Sequence, residues 1–191
     1  MATSEILQKV GTQIRFCVAA SLSPADVATN LTIGTPTDVA LTLSAVASAA
    51  ARQSAKVDLG ATRAAAYEVL GCVDFTGETP TVGLTIDYYW APSTHATAAN
   101  GNVAGNSGVD AACPDGCTTT AITIAEFVKQ CLLIGQLTIT DDATVQCGFV
   151  GVLRPTGRYG QLIVVNSSGD AFEADDVEMH QVLNPIVDEA Q

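Results

Sequence analysis

At 191 residues, 48% of them hydrophobic, the chain is long enough for one domain that buries roughly 70% of its unfolded surface without a metal or a disulfide. Eight Lys plus Arg against twenty Asp plus Glu leave a formal net charge of -12, which repels nucleic-acid phosphates and anionic lipid. No window reaches the ~18 consecutive apolar residues that a spanning helix needs, and Met1 to Val10 lacks a basic stretch leading into an apolar core, so synthesis in the cytoplasm is expected.

Only 5% of residues are aromatic, so the core must be built from Val, Leu, Ile and Ala in thin layers, as in packed sheets. Residues 1–12 read as a flexible N-terminal arm and 13–191 as a single β-sandwich domain. Thr12 to Ala20 places Ile14, Phe16, Val18 and Ala20 on one face and predicts a first strand. Ser21 to Pro36, with Pro24, Gly34 and Pro36, reads as a long connection holding at most a short strand at Asn30–Ile33. Val39 to Ala47 alternates and reads as a strand or, with its Ala content, a short helix, the β-branched flanks favouring strand; Ala55 to Leu59 is a short strand candidate.

Tyr67 to Phe75 alternates again, and Thr76 to Pro80 is a turn into the clearest strand of the chain, Val82 to Trp90. So short a link predicts that these two strands are antiparallel neighbours. In the second of them Tyr88 and Trp90 fall on the apolar face, with Asp87 and Tyr89 outward. Residues 92–120 form a long Gly/Ala/Asn-rich stretch that reads as a surface loop. Beyond it, Phe127 to Thr140, Val145 to Arg154, Tyr159 to Asn166 and Asp176 to Val187 are four more strands. The expected fold class is all-β, an antiparallel β-sandwich of jelly-roll type.

Six cysteines are scattered along the chain. Cys17, Cys72, Cys131 and Cys147 sit in predicted strands and are expected to act as small buried hydrophobes. Cys113-Pro114-Asp115-Gly116-Cys117 is a turn that brings two thiols close, as a reduced turn or a possible Cys113–Cys117 disulfide; a zinc site lacks a second ligand pair.

His95 and His180 stand in no nucleophile setting and are expected at the surface. Asp110, Asp115, Asp141, Asp142, Asp170, Asp175 and Asp176 match no EF-hand spacing and read as a solvated acidic surface. Gly101, Gly105 and Gly108 follow no phosphate-binding strand. Asn30 and Asn166 begin glycosylation sequons of the kind that arise by chance. No cofactor, metal or catalytic residue is expected, and the chain reads as a non-enzyme.

Three stretches in order carry a resemblance: Asp58–Arg63 leading to Asp87–Ser93, then Ser107–Ala112, then Arg158–Gly169. Together they resemble small virion structural proteins of tailed bacteriophages over roughly residues 50 to 187. The resemblance implies a head decoration (cement) protein that is made in the host cytoplasm and resides in the virion. Its partners would be the major capsid protein and further copies of itself, as a homo-oligomer expected to be a trimer. A tail or fibre component and a carbohydrate-binding module using Asp87, Tyr89 and the His95–Asn106 loop are the alternatives.

Overall fold

The computed structural model describes residues 6–117, 122–141 and 144–190. Twelve strands are joined by hydrogen bonds: β1 (Ile6–Val10), β2 (Ile14–Cys17), β3 (Thr37–Ala40), β4 (Ala51–Gln53), β5 (Val57–Asp58), β6 (Ala66–Val73), β7 (Thr85–Ser93), β8 (Ala111–Ala112), β9 (Leu132–Thr138), β10 (Gln146–Leu153), β11 (Tyr159–Ser167) and β12 (His180–Ala190). Among the described residues one α-helix, α1 (Ile124–Val128), precedes β9, and a 3-10 turn spans Val103–Gly105. The chain is nearly all β, as its alternation predicts.

The strands form one continuous sheet in the order β3-β2-β12-β6-β10-β9-β7-β11-β4-β8, with β1 beside β12 and β5 beside β11. Two separate antiparallel sheets were expected. Instead the single sheet curls, and it is mixed, because β2 and β3 run parallel. Inward side chains from β2, β6, β7, β9, β10, β11 and β12 meet in one core that includes Phe16, Val69, Tyr88, Trp90, Leu162 and Leu183. Curling brings β7 opposite β12, where the Tyr88 hydroxyl donates to Gln181 Oε1 at 2.8 Å. Phe75 and Phe172 close one end edge-to-face, their centroids 5.5 Å apart.

Three expectations are corrected by this topology. The β6 and β7 strands are not neighbours, because the β9–β10 pair is inserted between them. Ile6–Val10, inside the stretch expected to be a free arm, pairs antiparallel with Ile186–Ala190 along β12. Phe127, expected to begin a strand, lies in α1, which starts at a capping box: Thr123 Oγ1 accepts from the Glu126 N–H while the Glu126 carboxylate accepts from the Thr123 N–H.

Gly135 on β9 and Gly151 on β10 are paired directly opposite each other. Register slips flank that pair on both strands, between Tyr88 and Tyr89 along β7–β9 and between Phe149 and Gly151 along β6–β10. Such bulges increase local twist, which is how so long a sheet turns back on itself.

Candidate functional site: an open apolar face between two covered stretches

The outer surface of the curled sheet divides into three zones. Over β12, β6 and β10 lies the connection 18–36, held by side chains rather than by strand pairing. Gln13 is buried; its Nε2 donates to the Leu31 carbonyl and its Oε1 accepts from the Ile33 N–H. The Glu178 carboxylate accepts from the Ala25 N–H and from the Thr29 hydroxyl. His180 Nε2 accepts from the Leu31 N–H at 2.9 Å, which leaves Nδ1–H to donate to the Glu178 carbonyl.

His180 was expected at the surface and is fully buried. The 18–36 connection covers it, and burial holds its pKa below the usual imidazole value. Beneath the same cover, Cys72 and Cys147 are joined in a disulfide. They were expected as free thiols; the β6–β10 register sets them directly opposite, a relation that 75 residues of separation hide. The Thr29 carbonyl oxygen lies 3.4–3.5 Å from the two sulfurs.

A second cover lies over β7, β11 and β4. The outward side chains Ala51, Ala91, Ile163 and Val165 are buried with Cys113 and Phe127 in a second apolar cluster. Tyr89, Cys117 and Cys131 pack against its margin. The 92–120 stretch therefore carries buried residues of its own. Its roots are braced from below: Lys56 Nζ donates to the carbonyls of His95, Thr97 and Asn100, and Gln53 Nε2 to Ser107 Oγ and the Val109 carbonyl. Cys113 and Cys117 are both free thiols, so the possible disulfide between them is not formed. Burial raises the Cys113 thiol far above its usual range and pushes Cys131 up to about 12, so neither is a thiolate near neutrality.

The aspartates expected as solvated surface mostly brace loops. Asp110 accepts from the Thr42 N–H, the Thr42 hydroxyl and Arg52 Nε, and Asp176 from the N–H groups of Leu43 and Ser44. Asp170 accepts from the Thr79 N–H and hydroxyl, and Asp175 from the Val177 N–H. Asp142 lies outside the described residues. Among the described residues no three His, Cys, Asp or Glu side chains are grouped to hold a metal ion. His95 is exposed. Asn166 is buried and donates to the Val46 and Asp170 carbonyls. No helix among the described residues is long and apolar enough to cross a membrane.

Between the two covers the third zone is bare. Leu133 is 60% exposed, Phe149 58% and Val152 45%. The ladders fix their direction: Leu133 pairs with the outward Tyr89, Phe149 with Leu70, and Val152 with Glu68. Along their full lengths β9 and β10 carry no charged residue. The carboxylates on the flanking strands are already engaged, Asp87 by Gln136 Nε2 and Thr85 Oγ1 and Glu68 by Asn184 Nδ2.

Alternation in β9 and β10 is the sequence signal that contains this face, but which residues stay uncovered depends on where distant loops settle. No protein-family model, no curated protein and no solved structure matches the chain.

Proposed function

We propose that the chain is a non-enzymatic structural component of a tailed-phage virion, a head decoration protein that adds to the major capsid protein and to further copies of itself. The observation that supports this reading best is the bare face of β9 and β10. Two long connections and a helix cover neighbouring parts of the outer sheet, yet Leu133, Phe149 and Val152 stay in water. Exposed apolar area of this kind in an otherwise acidic surface is a contact surface awaiting neighbours.

The polar chemistry of the chain supports the same reading. Asp110, Asp176, Glu178, Lys56 and Gln53 are committed to backbone groups of the chain's own loops. Their work is bracing, which suits a body that transmits load between subunits. The Tyr88–Gln181 contact, which ties two halves of the curled sheet together, supports reading the chain as a rigid all-β body.

Purified chain added to expanded phage heads that lack it should bind and raise their resistance to heat and chelators. A density map of the decorated particle should show it at regular positions on the shell. Absence of binding, or density confined to the tail, overturns the head assignment.

A further inference from the structure

We infer that the Cys72–Cys147 pair is a thiol-exchange site: a small thiol enters at Cys147, and the state of the pair sets how firmly the 18–36 connection is held. The inference goes beyond the decoration reading and does not rest on it.

Three strands put one row of sulfur and imidazole under one cover. His180 on β12 and Cys147 on β10 are each paired directly opposite Cys72 on β6, so the three side chains share the outward face. The 18–36 connection touches all three, with the Thr29 carbonyl at the two sulfurs and the Leu31 N–H at His180 Nε2. No other donor reaches the Thr29 carbonyl among the bonds of the described residues. Disulfide sulfurs carry no hydrogen, so the oxidised pair leaves that oxygen without a donor, whereas two thiols each present an S–H to it. Reduction therefore adds a hydrogen bond to the segment that Leu31 already anchors.

The two sulfurs differ in access. Cys72 is fully buried, while Cys147 is partly exposed and lines a cleft of about 380 Å³ between the end of β9 and the start of β10. Leu137, Thr138, Thr140 and Thr144 are among its other walls. β6 and β9 flank β10 on opposite sides, so the cleft lies on the far side of Cys147 from Cys72. Thiol–disulfide exchange runs in line, the incoming sulfur approaching opposite the leaving one, and the cleft supplies that approach.

The exchange needs no oxidant beyond the pair itself. A small thiolate attacks Cys147 Sγ; the new S–S bond forms as the Cys72–Cys147 bond breaks, and Cys72 leaves with the electron pair and takes a proton from solvent. A second small thiol attacks the mixed disulfide, frees Cys147 and departs joined to the first, so two small thiols are oxidised as the protein pair is reduced. The net charge of -12 favours a neutral or cationic thiol over an anionic one.

The test uses the full oxidised chain and cysteamine, a cationic thiol. After brief exposure and an acid quench, peptide mapping should find cysteamine on Cys147 at least about tenfold more often than on Cys72. Amide exchange at Leu31 and Ile33, read relative to the β11 amides, should be about two- to fivefold slower in the fully reduced chain than in the oxidised one. Cys72→Ser/Cys147→Ser keeps two donors and should match the reduced chain whatever the redox conditions. Cys72→Ala/Cys147→Ala keeps none and should match the oxidised chain. Cysteamine on Cys72 first, a pair that is reduced only after global unfolding, or equal exchange at Leu31 in both redox states overturns the inference. None of these outcomes bears on binding to phage heads, which tests the decoration reading separately.

Discussion

Gly135 on β9 and Gly151 on β10 lie directly opposite, and each is pressed against its neighbour's backbone. A Cβ on Gly135 would collide with the Val150 carbonyl oxygen, and one on Gly151 with the Ile134 carbonyl oxygen. Backbone cannot yield as a flexible side chain can. The substitutions Gly135→Ala and Gly151→Ala should therefore each cost about 2–4 kcal/mol, read by urea denaturation. Wild-type midpoints for both variants would show that the fold does not depend on this contact.

Tyr88 and Gln181 tie the two halves of the curled sheet together inside the core. Gln181 is fully buried; its Nε2 donates to the Cys72 carbonyl and its Oε1 accepts only from the Tyr88 hydroxyl among the bonds of the described residues. Tyr88→Phe removes that donor and leaves a buried acceptor unpaired, an expected loss of about 1–3 kcal/mol. The same variant should leave the far-ultraviolet spectrum unchanged, because no ladder bond is touched. A loss below about 0.5 kcal/mol would mean that the oxygen finds another donor.

His180 should make the hold on the 18–36 connection sensitive to acid. Its Nε2 accepts from the Leu31 N–H, so a proton there places two donors face to face. Burial is the main cause of its lowered pKa, Arg15 adds to it, and the Glu178 carbonyl and carboxylate oppose it. A base whose folded pKa is depressed contributes its stability fully above the unfolded value of about 6.5 and loses it as pH falls through the folded value. Melting temperature should fall as pH drops from 7 to 5, with amide exchange at Thr29–Ile33 rising first. His180→Asn should flatten that dependence. The carboxylates of Asp58, Glu126 and Asp170, lowered by their own hydrogen bonds, act at more acid pH and do not confuse the comparison. An unchanged slope in the variant would place the acid sensitivity elsewhere.

Thiol labelling checks the cysteine assignments. Peptide mapping of the folded chain under denaturing, non-reducing conditions should recover Cys72 linked to Cys147 and four free thiols. Before unfolding, Cys117 should alkylate first, since Cys17 and Cys113 are buried and burial also raises the Cys131 pKa. Rapid labelling of Cys113 in the native chain would contradict its place in the second cluster.

Much of the strand content is legible in the residues themselves, because alternation has a period of two and needs only a few consecutive side chains to show. The stretches Tyr67–Phe75, Val145–Arg154 and Tyr159–Asn166 lie within a few residues of β6, β10 and β11, and Tyr88 and Trp90 face the core as their spacing predicts. The α1 helix was also within reach, since Thr123 and Glu126 are spaced as a capping box, but the apolar run behind them reads as strand. Tertiary structure alone decided the rest. Which strand lies beside which, whether Cys72 meets Cys147, and whether the outward side of β11 is wet or sealed under Phe127 all depend on contacts between residues tens of positions apart. Pairing and covering are settled by total buried area and by closing long loops. The local pattern is the same whichever neighbour arrives.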